Sequence, residues 1–395
     1  MPAPVLRTHD RADRAPPRAL SPRVQSVARE AADAVDAEGR FPAEAFAVLR
    51  DQGDLGLLAE PSPSLLAAAV QCSTLAGACG SAGMILAMHH IQVACLARHA
   101  AGAPWHDAFL RRIAQGDLLL ASSTSEVGLG GNLRASLCAV ETDGDRFSLT
   151  KQASAISYGA DADVILATAR SGPDAAQGDQ VLVVLEGEDF SLEPGARWDA
   201  MGMRGTGSGA FVLTGTGDVA QIVPAPFGEI ASTTMAPISH ILWGAVWTGI
   251  AGDAVMRARA AVRMRRSPGL NDLPPGALHL AQAVEKLQMA EARVRRAIDV
   301  FDWRSTHQPG FSEVAADNGL KTSVGETCLE VAQIAMSVCG FAGYARQGPH
   351  SVARHLRDLH SAPLMITNER MRQGAAHLLL AQQPRLGLDH DRPAD

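Results

Sequence analysis

The chain has 395 residues, 47% hydrophobic and 19% charged, which fits an ordered globular protein of two or three domains and excludes a disordered one. Lys and Arg number 35 against 42 Asp and Glu, a formal charge of −7 with no long basic cluster, which argues against nucleic-acid binding. Six cysteines show neither CxxC nor zinc-type spacing and read as free thiols of a reducing compartment with no metal site. No run of about 18 uninterrupted apolar residues offers a membrane span, and an N-terminus carrying Asp10 and Asp13 lacks the apolar core of a secretory signal, so a cytoplasmic protein is expected.

Residues 1 to 20 are rich in Pro and Arg and are expected to be loose. Ser21 then suits a helix cap and Pro22 a first helical position, with Val24, Val27, Ala28, Ala31 and Val35 on one face. Phe41 and Pro42 open a short second helix through Leu49. Residues 64–99 are almost wholly Ala, Leu, Ile, Met and Cys, the composition of helices buried on most sides. A further helix runs from Pro104 to Gly116. An all-α domain is therefore expected over residues 21–117.

Residues 118–228 change period and predict an antiparallel β domain. Short β-rich runs, VLVVLE (181–186) and AFVLTG (210–215), are separated by Gly, Asp and Pro clusters. Two stretches stand out. LLLASSTSEVGLGGNLRAS, starting at Leu118, carries hydroxyls and then Gly128, Gly130 and Gly131, whose missing Cβ atoms let backbone approach a flat or phosphorylated ligand. LTKQASAISYGADADVILATA, ending at Ala169, turns β-branched and apolar. Between the later strands lies a second glycine-dense loop, WDAMGMRGTGSGA (198–210).

Helical period returns over residues 229–386. Four long amphipathic helices are expected at about 235–266, 276–303, 313–339 and from Ser351 to Gln383, with the Pro268–Pro275 stretch between the first two. An antiparallel four-helix bundle satisfies them, followed by a loose polar tail, RLGLDHDRPAD. The fold class is α+β: an N-terminal all-α domain, a middle antiparallel β domain and a C-terminal four-helix bundle.

That order and its motifs resemble the acyl-CoA dehydrogenase family over about residues 21–385. TSEVGLGGNL (124–133) is similar to the family's Thr-Glu-Pro-Gly-x-Gly-Ser-Asp turn, and AISYGADAD (155–163) to its Trp-Ile-Thr-Asn-Gly strand. The 198–208 loop matches Gly-Met-Arg-Gly-Thr-x-Ser. ARAAVRMRRSPG (258–269) resembles the helix ending in Arg and Gly, and CGFAGYARQGPHSVARHLRDLH (339–360) the Gly-Gly-x-Gly-Tyr … Arg-Asp segment. The resemblance implies FAD between the β domain and the bundle, an acyl thioester substrate carried by CoA or a carrier protein, and a homotetramer. Thr124 and Ser125, with Gly130 and Gly131 beside them, would hold the pyrimidine side of the flavin, Ser157 would contact its N5 edge, and Arg265 would reach the pyrophosphate of FAD in a neighbouring subunit. Such donors stabilise the charge that reduction places on the ring. On local sequence alone the three hydroxyls fit turn backbone better, and Arg265 an ordinary helix C-terminal cation; the resemblance is what reverses both readings.

The family takes an α-proton with a glutamate eight residues past Arg-Asp; here that position is Ile366. The family's alternative position aligns with Ile241, and the aromatic that packs on the flavin is Ala155. Three residues offer replacements for the base: His240 beside Ile241, Glu369 three residues past Ile366, and His89 on an α-domain helix. His89 also fits a satisfied core histidine. Two activities follow. The first is an FAD-dependent acyl-CoA or acyl-carrier-protein dehydrogenase forming an α,β-unsaturated thioester and passing electrons to an acceptor flavoprotein. The second is a two-component flavin-dependent monooxygenase fed by a flavin reductase.

Overall fold

The computed structural model describes residues 19–381 except 266–268, 270–271, 304 and 306. The N-terminal Pro/Arg stretch, the polar tail and the expected domain end at residue 386 lie outside the described residues.

Helix α1 (Pro22–Glu38) begins where the Ser21 hydroxyl accepts the Val24 amide at 3.5 Å and ends at Gly39, whose φ of 64° suits a left-handed cap. It buries Val24, Ala28, Ala32 and Val35. Helices α2 (Ala43–Asp51), α3 (Leu65–Ala78), α4 (Gly80–His99) and α5 (Pro104–Ile113) follow. By length and composition α4 is the one described helix that could cross a membrane, and it is enclosed by α3, the strand β1 (Leu120–Ser123) and the bundle. All six cysteines are unpaired and buried.

The middle region forms two sheets. One has the order β1-β4-β5, with β4 (Val164–Arg170) and β5 (Gln180–Glu186); the other has the order β2-β3-β7-β6, from β2 (Glu141–Asp143), β3 (Arg146–Ile156), β6 (Phe190–Pro194) and β7 (Gly209–Asp218). Pairing is antiparallel except between β1 and β4, where Leu120 lies opposite Val164 in parallel register. The intervening chain builds β2 and β3 of the other sheet, an excursion long enough to return in the same direction. Strand β3 bulges between Ala153 and Ile156, which leaves Ala155 out of the ladder with β7.

The C-terminal region opens with α6 (Phe227–Ile230) and a π-helical turn at Ala231–Met235 that leads into α7 (Ala236–Arg263); α8 (Ala277–Val300) and α9 (Phe311–Cys339) complete three long helices. The expected single fourth helix is broken. After the short α10 (Phe341–Tyr344), the chain forms α11 (Ala353–Leu359), an irregular turn, and α12 (Asn368–Ala381). Pro363 cannot continue the helical ladder, and Ile366 takes a left-handed φ of 51°. The α domain is joined directly to the bundle, because α7 crosses α3 at small residues. A Cβ at Gly77 would lie 3.2 Å from the Gly249 carbonyl, and one at Gly249 would overlap that of Ser73.

Candidate functional site

The glycine turn is held by the two residues before it. The Ser125 hydroxyl donates to the Ala155 carbonyl (3.0 Å) and accepts from the Ala155 amide (3.2 Å), satisfying the groups that the β3 bulge frees. Glu126 turns inward and accepts from the amides of Cys138 (2.7 Å) and Leu137 (3.0 Å) and from the Ser136 hydroxyl (2.9 Å). Its carboxylate also faces the Lys151 ammonium at 3.7 Å, which reaches across to the other sheet and donates to the carbonyl (2.6 Å) and hydroxyl (2.9 Å) of Thr168. Burial pulls the Lys151 ammonium below its usual range, against the pull of Glu126.

Stapled at that end, the turn presents Gly128, Gly130 and Gly131 with φ of 90°, 56° and 73°. A Cβ at Gly130 would meet nothing within 4 Å, and one at Gly131 only the Arg370 guanidinium at 4.0 Å. Arg370, in α12, donates to the Gly130 carbonyl (3.1 Å) and so bridges the turn to the bundle. Thr124 is half-buried just past β1.

A second face is built where β3 ends. The Ser157 hydroxyl lies 2.7 Å from that of Ser208, which lies 2.8 Å from that of Thr206; Thr206 donates to the Met203 carbonyl (2.8 Å). The Tyr158 amide donates to the Thr206 carbonyl (2.7 Å) and its phenol to Leu120 in β1 (2.8 Å). Tyr158 and Met203 both sit at positive φ, 43° and 50°. Met203 is pinned from the bundle, its amide donating to the buried Asp358 carboxyl of α11 at 2.7 Å, and burial pushes that carboxyl up to about 6. Among the described residues the third non-glycine residue at positive φ is Ile366. Such conformations persist where surrounding structure over-determines them, and Tyr158 and Met203 are both fixed through Thr206.

This arrangement can be set beside known proteins. Residues 231–378 match the family model "Acyl-CoA dehydrogenase, C-terminal domain". The chain is 26% identical over 246 residues, 61% of its length and 58% of the relative's, to the cyclohex-1-ene-1-carbonyl-CoA dehydrogenase of Syntrophus aciditrophicus. Its fold superposes on butyryl-CoA dehydrogenase from Megasphaera elsdenii with a TM-score of 0.75 at 18% identity, covering 91% of this chain and 99% of the other. The C-terminal part of the chain matches the acyl-CoA dehydrogenase model, and the chain as a whole has the acyl-CoA dehydrogenase-like fold. The fold likewise matches FMN-bound TdsC from Paenibacillus sp. A11-2, with a TM-score of 0.77 at 19% identity over 91% of this chain and 96% of that one.

Within this acyl-CoA dehydrogenase-like frame the three candidates for the missing base lie in different surroundings. His89 is buried with both ring nitrogens engaged: one meets the Leu55 carbonyl at 2.7 Å and the other accepts the Leu120 amide at 3.1 Å. It ties α4 to β1 and keeps no free lone pair, which corrects its reading as a cavity group. Glu369 is exposed in the first turn of α12, where a carboxylate complements the helix dipole, and not in the interior that a base requires. His240 is buried with no hydrogen-bond partner on Nδ1. Burial, then the nearby Lys321 charge, lower its imidazole to about 4, while the Asp317 carbonyl raises it.

Arg265 donates to the carbonyls of Pro275 (2.9 Å) and Val338 (2.6 Å), at the ends of the loop before α8 and of α9. Both bonds lie within this chain, and they hold the guanidinium at the surface end of α7.

Sequence reasoning missed Lys321, a lone cation in the apolar run GLKTSVG of α9. It is fully buried and donates to the Ile366 carbonyl (2.8 Å) and to the Asn368 side chain (2.7 Å). It also missed Ser208 and Thr206, whose hydroxyls join Ser157 only through folding. The residue types fit a flat ring with polar edges: an open glycine turn, tied through Ser125 to the end of β3, and a row of three hydroxyls that starts there.

Proposed function

We propose that the chain binds FAD between the Thr124–Gly131 turn, the Ser157–Ser208–Thr206 hydroxyls and the bundle, and oxidises an acyl thioester. The observation that carries this reading is that the Ser125–Ala155 bonds tie the open glycine turn to the end of β3, where Ser157 begins the hydroxyl row flanked by Tyr158 and Met203 at positive φ. Bound there, FAD would supply a two-electron acceptor. Thr124 and Ser125 would hold its pyrimidine edge through backbone, Gly130 and Gly131 would admit it, and Ser157 would turn its proton from Ser208 toward the reactive edge. Among the described residues Arg265 gives one donor each to the Pro275 and Val338 carbonyls, and its guanidinium would also meet the diphosphate of a neighbouring subunit's cofactor.

His240 is the proton acceptor in this reading. Its Nδ1 lone pair is buried without a partner, and the depressed imidazole stays neutral at pH 7. The chain works as a homotetramer, which the exposed Phe341 and Tyr344 of α10 support. Six free thiols support a cytoplasmic location, where an electron-acceptor flavoprotein would take the reducing equivalents.

A second reading, a flavin-dependent monooxygenase supplied by a reductase, is favoured by one observation. Both carboxylate positions of the family are isoleucine, Ile366 and Ile241, and the TdsC to which the fold is similar is a dibenzothiophene monooxygenase. An anaerobic titration against a panel of acyl thioesters separates the two. A dehydrogenase loses its oxidised-flavin absorbance with the right thioester; an oxygenase keeps it until a reductase is added. His240→Ala should slow that bleaching by about 10²-fold or more, and a rate near wild type removes His240 as the base. Arg265→Ala and Gly131→Val should each lower flavin content, and unchanged content in both removes the cofactor assignment.

A further inference from the structure

The Ile366 turn and Asn368 at the head of α12 meet one buried ammonium, whose charge also reaches His240 of α7. Lys321 Nζ donates to the Ile366 carbonyl (2.8 Å) and to Asn368 Oδ1 (2.7 Å), and lies 6.0 Å from the Trp247 ring of α7. Asn368 in turn donates to Glu326 (3.0 Å), which Arg372 of α12 binds from outside. The Ile366 turn is a β-branched residue held at φ 51°, a conformation that costs about 1–2 kcal/mol and relaxes unless something fixes it. Lys321 is that fixture. One helical turn earlier on α9, the Asp317 carbonyl faces His240.

We propose that Lys321 is a positioning residue for the reaction: it clamps the left-handed Ile366 turn at the place where the family carries its glutamate, and sets a cation near the buried His240 ring. The reading rests on the proposed role of His240, and it names how that histidine is kept competent. Burial disfavours the His240 imidazolium first and the nearby ammonium adds to that, so the histidine retains a lone pair across the range in which an exposed one would be protonated.

The charged groups around the pair are few. Glu326, on α9, raises Lys321 against the lowering effect of burial, which leaves the ammonium at about 8. Asp317 directs its carbonyl toward His240, while its carboxyl is raised to about 7 by burial and by Glu313. Among the described residues Lys321 is the one charge that moves the His240 imidazole.

The test titrates the His240 imidazole by NMR in the flavin-loaded wild type, in Lys321→Met and in Lys321→Arg, with the pH profile of anaerobic flavin reduction measured on the same samples. Lys321→Met should shift the His240 titration upward and loosen the Ile366 turn, seen as faster amide exchange at Thr367 and Asn368. Lys321→Arg, which keeps the charge, should leave the titration near wild type and so controls for folding. An unchanged His240 titration in folded Lys321→Met overturns the proposal. An upward titration with an unmoved acid limb of the rate profile leaves the positioning intact and instead retires His240 as the base.

Discussion

At the scale of single residues, buried charge is spent on holding loops. Lys151 and Glu126 face each other inside the β region, and each also satisfies groups of the opposite sheet or of the turn. Removing one partner of such a pair leaves the other charged without compensation, which is more costly than never having built it. Glu126→Gln should therefore destabilise the protein by about 3–5 kcal/mol in urea unfolding. Because the amides of Leu137 and Cys138 lose a charged acceptor, flavin content should fall too. His89 illustrates the opposite economy: a ring that both donates to Leu55 and accepts from Leu120 is a structural tie. Nothing at the level of LAMHHIQ distinguishes such a tie from a base, since both need an imidazole on an apolar helix.

At the scale of elements, the helices announce themselves and the site does not. α1, α7, α8 and α9 follow from apolar period and from caps such as Ser21, because those signals are local. The break between α11 and α12 was only partly legible: Pro363 is a local breaker that the expectation of one helix passed over, while the left-handed turn at Ile366 is held by Lys321, 45 positions earlier in the chain. The glycine turn could be read as a ligand contact, but its staple, Ser125 on Ala155, spans 30 positions and depends on a bulge that no residue type signals. The parallel pairing of β1 with β4 is invisible for the same reason. The glycines of the second loop show the element-scale consequence. A side chain at Gly202 would overlap the Arg357 carbonyl of α11, so the loop would have to lift from the bundle. Gly202→Ala should lower flavin affinity while leaving the far-UV helix signal intact, measured as flavin retained after gel filtration.

At the scale of the molecule, the three regions are locked by charged side chains from α1, α7 and α11. Asp253 of α7 accepts from Arg29 of α1 (2.7 Å), Arg257 (2.7 Å) and His355 of α11 (2.8 Å). Asp36 of α1 binds Arg357 of α11, which also donates to Met201 (2.8 Å). The two buried carboxyls of this region respond to pH with opposite sign. Burial alone would raise Asp253, but His355 and Arg257 hold it below the usual carboxylate range, so its stabilisation is present at neutral pH and is lost as pH falls below about 4. Burial raises Asp358 to about 6, so the stability it contributes is full below about 4 and is lost as pH rises through about 6. Asp253→Asn should flatten the acid side of the stability profile, and Asp358→Asn should remove the decline between about pH 4 and 6. Thermal unfolding across that range checks both.

The unpaired cysteines carry a further consequence. Cys72 lies within α3, Cys79 at the junction of α3 and α4, Cys95 in the last turns of α4, Cys138 beside the Glu126 staple, and Cys328 and Cys339 along α9. Burial raises each thiol, Cys95 to about 12 and Cys138 to about 11, so no nucleophilic sulfur is offered to an alkylating reagent while the chain is closed. The molecule thus carries its own set of chemical clocks, one or more in each region, silent until the segment around each opens.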